Sequence, residues 1–404
     1  MFDSVIDFFR ALFGSVFGFL GSIARGARNL VRSGVAAVTF RSPDPERPLG
    51  LGAKLRRGSV VGVVLLLTAW YGNYAWHALV IRDFSLLYPE DKVKISKFRP
   101  GKETTQPESG MTNVRSCGRS QLVDMESYLI RFLVQDNKWV PSMIQHKMGL
   151  FGIPWDETPI LDRKSMFQKG ALRAVRRIAI ELVDTLGRVR GTSAADPDLE
   201  TARGLLSYDM ETWWINPFDS KRPFGPVSPS DEVYAKALPN LEAYNARLER
   251  CEALFDARRD NLSQLLDRIA KDLGSTVDGL AKRSRSEVWD PHANKFVPAE
   301  GNDRGYFDLK ADGMFWEALG EAYAYHGLLQ AAREDMADAV TSARLAELWD
   351  QTESHIAESV SLWPILVSNG SEDGLLMPAH LTSLAHRILR ARANMVEMRD
   401  VLSR

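Results

Sequence analysis

Along most of the chain, apolar residues recur every three or four positions, the spacing of one face of an α-helix. Leu122, Met125, Leu129 and Phe132 predict a short helix, and Leu172, Val175, Ala179, Leu182, Leu186 and Val189 a longer one. Asp196-Pro197 then suits the cap and first turn of another helix. Leu241, Tyr244, Leu248, Cys251, Phe255, Leu262, Leu265, Ile269 and Leu273 keep the step with one gap, at Arg258. They predict a coiled-coil-like helix across 241–273. The chain reads as helical again from 311 to 360, with Ala332, Met336, Ala339 and Ala343 on one face. Leu381, Leu384, Ile388, Ala391, Met395, Met398 and Leu402 predict a last helix from about 379 in unbroken heptad steps. Residues 99–119, 216–230 and 287–309 carry Pro, Gly and turn residues and read as loops, the last with room for a short hairpin. No series of strands alternates convincingly. The expected fold is all-α: a bundle of long antiparallel, coiled-coil-like helices over 119–404.

One stretch breaks the amphipathic pattern. From Gly58 to Ile81 no residue is charged, and about 20 such residues cross a hydrocarbon core as a helix. Trp70, Tyr71, Tyr74 and Trp76 lie in its second half, where rings of this kind favour the membrane interface. These four are expected to contact lipid. A fully buried core helix is the competing reading. No small-x-small cleavage site follows, so the segment reads as an uncleaved anchor.

The first 24 residues carry Phe2, Val5, Ile6, Phe9, Leu12, Phe13, Val16, Leu20 and Ile23 on one helical stripe, followed by Arg25, Arg28 and Arg32. This predicts an amphipathic helix in the membrane interface, with Phe2, Phe9, Phe13 and Leu20 among its lipid contacts. The uncharged run from Ala11 to Ala24 is short for a crossing, although a second span is the alternative. The expected layout is an interfacial helix and basic segment at 1–34, a cytoplasmic linker at 35–57, the span at 58–81, a linker at 82–118 and a helical domain at 119–404.

Charge adds orientation. The formal net charge of −1 hides nine Lys/Arg against four Asp/Glu before residue 58, and an acidic excess after residue 81. Basic residues favour the cytoplasmic side. The N-terminus is therefore expected in the cytoplasm and the C-terminal domain outside, and nucleic acid is not an expected partner. Outside, Cys117 and Cys251 would meet an oxidising compartment and are candidates for a disulfide. A buried free thiol is the alternative for Cys251, which lies on the apolar stripe.

The familiar phosphate, dinucleotide, nucleophile-elbow and zinc-protease motifs are all missing, and no Glu stands three residues before any His. No catalytic residue, cofactor or metal site is expected. Trp139, Trp155, Trp213 and Trp214 lie near predicted loops and are candidate partner-binding residues; helix-end packing is the alternative. Arg173, Arg176, Arg177, Arg188 and Arg190 form a basic helix side, suited to headgroups, an acidic partner or solvent.

The runs Asp136-Asn-Lys-Trp-Val-Pro-Ser142, Phe167-Gln-Lys-Gly170, Asp196-Pro-Asp-Leu-Glu-Thr-Ala202, Arg259-Asp-Asn-Leu262 with Leu273-Gly-Ser275, and Asn369-Gly with Pro378-Ala-His-Leu381 resemble a proteobacterial family of inner-membrane proteins known as a domain of unknown function. The resemblance covers most of 58–404 and leaves 1–50 outside. It implies a Gram-negative inner membrane and an envelope setting, and carries no activity. The expected function is a membrane-anchored scaffold or accessory subunit. It would meet the lipid bilayer and other envelope or inner-membrane proteins, with self-association through heptad faces as a further option. A lipid-handling protein or enzyme with its site near the membrane is the alternative.

Overall fold

The structure is a computed structural model. It describes residues 51–94, 98–102, 104–106, 114–158, 160–188, 194–215, 225–285, 287–298, 308–370 and 378–404. The expected interfacial helix with Phe2, Phe9, Phe13 and Leu20, and most of the expected linker 35–57, lie outside the described residues.

The uncharged segment is helical, within α1 (Leu51–Leu79). Within Gly58–Leu79 the apolar 18-residue window has a mean hydropathy of 1.2 and only 6% of its residues are buried, unlike a core helix. Among the described residues it is the one helix long and apolar enough to cross a membrane. The described residues up to Asn73 belong to one unit, and those from Tyr74 to Arg404 to a second, larger one.

The larger unit is mostly helical. After α2 (Tyr88–Lys92) and a hairpin of β1 (Thr104–Gln106) and β2 (Val114–Ser116), its helices are α3 (Gln121–Ile130), α4 (Ile144–Met148), α5 (Arg163–Glu181), α6 (Pro197–Leu206), α7 (Ser230–Ala235), α8 (Ala237–Glu249) and α9 (Arg259–Ser284). A second hairpin, β3 (Glu287–Asp290) and β4 (Lys295–Pro298), precedes α10 (Leu309–Asp335), α11 (Ala337–Ser342), α12 (Ala346–Val360) and α13 (His380–Leu402). Both hairpins are antiparallel, with Thr104 opposite Ser116 and Trp289 opposite Phe296.

At the centre α5 and α10 run side by side in the same sense. Two glycines set their distance. A Cβ on Gly170 would stand 1.8 Å from the carbonyl oxygen of Glu317, and one on Gly320 2.0 Å from that of Phe167. Only glycine permits this backbone approach. Arg163 pairs with Asp312 at the N-terminal ends of the two helices. Further along, Arg177 bonds Asp272 of α9, which also accepts from the Tyr325 hydroxyl of α10. The α9 and α13 helices pair antiparallel, with Arg399 on Asp267 and Arg392 on the carbonyl of Ala270. All seven heptad positions expected on α13 are buried. Asp196 caps α6 by accepting from the backbone N–H groups of Asp198 and Leu199, with Pro197 in the first turn.

Two sequence expectations change. The single helix across 241–273 is two helices, α8 and α9, separated at 250–258. Cys251 sits in that link in the left-handed region (φ 60°), and Phe255 is buried from non-helical backbone. The apolar step thus continues through a turn that is not helix. The helical reading of 311–360 holds as three helices: at Met336 (φ −108°) the chain leaves α10 for α11 and then α12. The segment 82–118, expected as a linker, packs against the core through Phe84, Leu86, Tyr88 and Val93. The buried Tyr88 donates to the carbonyl of Tyr323 at 2.6 Å.

Candidate functional site

The segment 144–158 folds back on itself in short turns. Gly149 adopts φ 65°, where a Cβ would lie 2.1 Å from the carbonyl oxygen of Ile153. The tight reversal closes through paired backbone bonds between Leu150 and Ile153. Between this segment, the start of α5 and residues 209–215 lies a cleft of about 1080 Å³. It is lined by His146, Trp155, Asp162, Lys169, Glu211 and Trp213, among others.

Tyr74 backs the wall formed by His146 and Trp155. Tyr74 is fully buried and stacks on Trp155, with ring centroids 4.2 Å apart. Its hydroxyl lies 3.0 Å from Nδ1 of His146 and 3.3 Å from the carbonyl of Leu161. The other ring nitrogen of His146, Nε2, is 3.3 Å from the Ser165 hydroxyl. Burial, with Lys169 nearby, lowers the His146 pKa to about 4, so the ring is neutral at pH 7. A neutral imidazole donates from one nitrogen and accepts at the other, which a hydroxyl on each side can satisfy.

The floor holds Asp162, 1% exposed, whose Oδ2 has no hydrogen-bond partner among the described residues. Burial, reinforced by Asp312, pushes its pKa up to about 7. At the rim Lys169 donates to Glu211 at 2.6 Å. Burial works against the Glu211 carboxylate, but this bond and the Lys169 charge outweigh it and lower its pKa. The cleft therefore combines apolar rings, a neutral histidine and a readily protonated carboxyl. No group of three or more metal-ligating side chains suited to an ion occurs among the described residues.

The sequence-selected tryptophans divide. Trp139 and Trp155 are buried, which corrects their assignment to an exposed binding surface. Their indole N–H groups donate to the carbonyls of Met210 and Gln145, both at 2.8 Å, so each ring is part of the packing. Trp213 is half-buried on the cleft, and Trp214 is exposed beside it with ring centroids 5.0 Å apart. On α1, Trp70 and Trp76 are exposed and Tyr71 is half-buried. Tyr74, expected to contact lipid, belongs to the packed interior, because Trp155 covers it. Cys117 and Cys251 are joined in a disulfide, with Cα atoms 5.5 Å apart.

The arginines of the basic side have acceptors within the chain. Arg173 pairs with Glu317, Arg177 with Asp272, and Arg176 donates to the carbonyls of Leu206 and Tyr208. Arg188 donates to the carbonyl of Asp184, and Arg190 lies outside the described residues. The helical spacing read from sequence found the arginines but not their acceptors. His146, Asp162 and Ser165 carried no motif, since their juxtaposition with Tyr74 arises only in the tertiary fold.

The chain belongs to a family described as an uncharacterized protein conserved in bacteria (DUF2333), which matches residues 156–404. That match covers α5 to α13, including the Asp162, Lys169 and Glu211 side of the cleft. No curated protein and no solved structure matches the chain.

Proposed function

We propose that this member of the DUF2333 family is a single-pass inner-membrane protein of the bacterial envelope. Its helical domain stands in the periplasm as a scaffold or accessory subunit for other membrane proteins. The observation that carries the reading is α1, uncharged from Gly58 to Leu79 with most of its apolar residues facing outward. In water such a surface would be costly to leave uncovered, whereas hydrocarbon solvates it. The basic excess before residue 58 favours a cytoplasmic N-terminus. The Cys117–Cys251 disulfide supports the same orientation, because such bonds persist in oxidising compartments. Purification of the full chain from membranes in mild detergent, with mass-spectrometric identification of co-eluting proteins, tests the scaffold role. Reproducible stoichiometric partners or a defined homo-oligomer are expected; a clean monomer would contradict it.

A second reading, ligand binding in the cleft, is favoured by Asp162. A buried carboxyl with one unpartnered oxygen at the floor of a large cleft costs stability, and such groups concentrate at functional sites. The mixed lining suits an amphiphile with a polar head and an apolar tail. Native mass spectrometry of the detergent-released protein is expected to retain a bound lipid in the wild type and lose it in Trp213→Ala. Equal retention by both would remove this reading.

A further inference from the structure

Contacts across the helical domain identify which chain ends share one pole. Tyr74 stacks on Trp155, and the Lys164 ammonium donates to the carbonyl of Val80 at 2.8 Å. The residues leaving α1 therefore lie beside the N-terminus of α5. Arg163 joins the start of α10 through Asp312, and Arg283 joins the end of α9 to Asp308. Asn369 reaches the carbonyl of Arg283, and Phe84 packs on Trp363 at 4.4 Å. Loop 148–153, the β3–β4 hairpin and the loop after α12 thus all belong to the pole where α1 ends.

Among the described residues, these same loops carry most of the large apolar side chains that the helical domain exposes. Met148 and Ile153 are exposed on the first, Trp289 and Phe296 on the hairpin, and Ile365 and Leu366 on the third. Phe296 is 64% exposed and Ile365 85%. At the opposite pole, where α9 begins and α10 ends, Leu254 is the large apolar residue exposed among the described residues. A two-stranded hairpin is at best marginally stable alone in water, and this one leaves apolar rings uncovered. Scattered apolar residues need no explanation, but three loops concentrating them at one pole do. Lys282, Arg285, Lys295 and Lys310 are exposed around the hairpin, where they could meet anionic headgroups.

We propose that this pole is a membrane-docking surface, with the three loops seated in the bilayer interface around the emerging helix. The inference rests on the reading of α1 as a membrane span. Chain continuity selects lipid as the occupant: the carbonyl of Val80, one residue after α1 ends, is already bonded at this pole. The chain that leaves the span is thus held by this pole.

Single cysteines placed at Met148, Phe296 and Ile365 test this in the full chain, whose own cysteines are paired. Each is labelled with an environment-sensitive fluorophore, and the protein is reconstituted in phosphatidylcholine–phosphatidylglycerol vesicles. Controls are placed at Leu66 in the span and Leu254 at the opposite pole. Labels at 148, 296 and 365 are expected to be quenched by lipid-borne nitroxide and shielded from aqueous iodide several-fold relative to 254. If 66 is lipid-quenched while all three loops are as iodide-accessible as 254, the docking surface is refuted and the span stands. If 66 itself is iodide-accessible, the span fails, and the docking inference fails with it.

Discussion

The crossing of α5 and α10 makes a prediction whose sign runs against ordinary helix chemistry. In an open helix, Gly→Ala stabilises by about 0.5–1 kcal/mol, because alanine loses less backbone entropy on folding. At Gly170 and Gly320 the added methyl would sit 1.8 and 2.0 Å from a carbonyl oxygen on the facing helix, against the 3.0 Å below which real Cβ contacts essentially never fall. Relief requires the two backbones to separate by roughly 1 Å or more, loosening the apolar contacts between them; overpacking of this sort costs about 1–3 kcal/mol. The facing residues include buried Phe167, Ala171, Phe315 and Leu319, so the upper part of that range is expected after the propensity gain is subtracted. Urea unfolding of the full chain in detergent, followed by far-ultraviolet circular dichroism, measures the change at constant slope. Gly204→Ala is the control, since nothing lies within 4 Å of its added methyl. Gly170→Ala and Gly320→Ala should lower the midpoint, and Gly204→Ala should leave it unchanged or raise it. A rise in all three would refute the close backbone crossing.

Three other perturbations probe separate parts of the structure. Replacing Cys117 and Cys251 by serine frees a 134-residue separation, for which the chain-entropy relation gives a loss of about 5 kcal/mol; an unchanged unfolding midpoint, or thiol labelling of both residues in oxidised protein, would contradict the bond. Asp335 accepts from the Ser120 hydroxyl and from the N–H groups of Gln121 and Leu122. Asp335→Ala should therefore cost about 3 kcal/mol and expose the start of α3 to hydrogen exchange; unchanged protection there would show that the cap is dispensable. Asp162 has its pKa raised from 3.8 to about 7 in the folded chain. An acid raised on folding binds its proton more tightly in the native state, so its stability contribution is complete below pH 4 and is lost as pH rises to 7. Asp162→Asn should match the wild type near pH 4 and exceed it by up to about 4 kcal/mol at pH 8; a difference independent of pH would overturn the assignment.

What could be read in advance depended on the range of the interaction. The α13 stripe, the Asp196–Pro197 cap and the uncharged span are local patterns, and each has its helix in the structure. The run from Leu241 to Leu273 misled because Cys251 and Phe255 satisfy apolar spacing while packing from a non-helical link. Trp139 and Trp155 look alike in sequence whether exposed or buried; what buries them is an indole acceptor contributed by Met210 or Gln145. The Gly170–Gly320 crossing and the Asp335 cap bring together residues far apart in the chain, so no local period could announce them. The cleft was invisible for the same reason, since its histidine is held between a hydroxyl from α1 and one from α5.

The central claim, one crossing at α1 with the helical domain outside, is tested most directly by protease protection in intact spheroplasts. The full chain carries one epitope tag before Met1 and another after Arg404. External protease is predicted to remove the C-terminal tag while the N-terminal tag survives until the membrane is opened. A C-terminal tag that resists digestion in intact spheroplasts, or a chain released from membranes by alkaline carbonate, would contradict it.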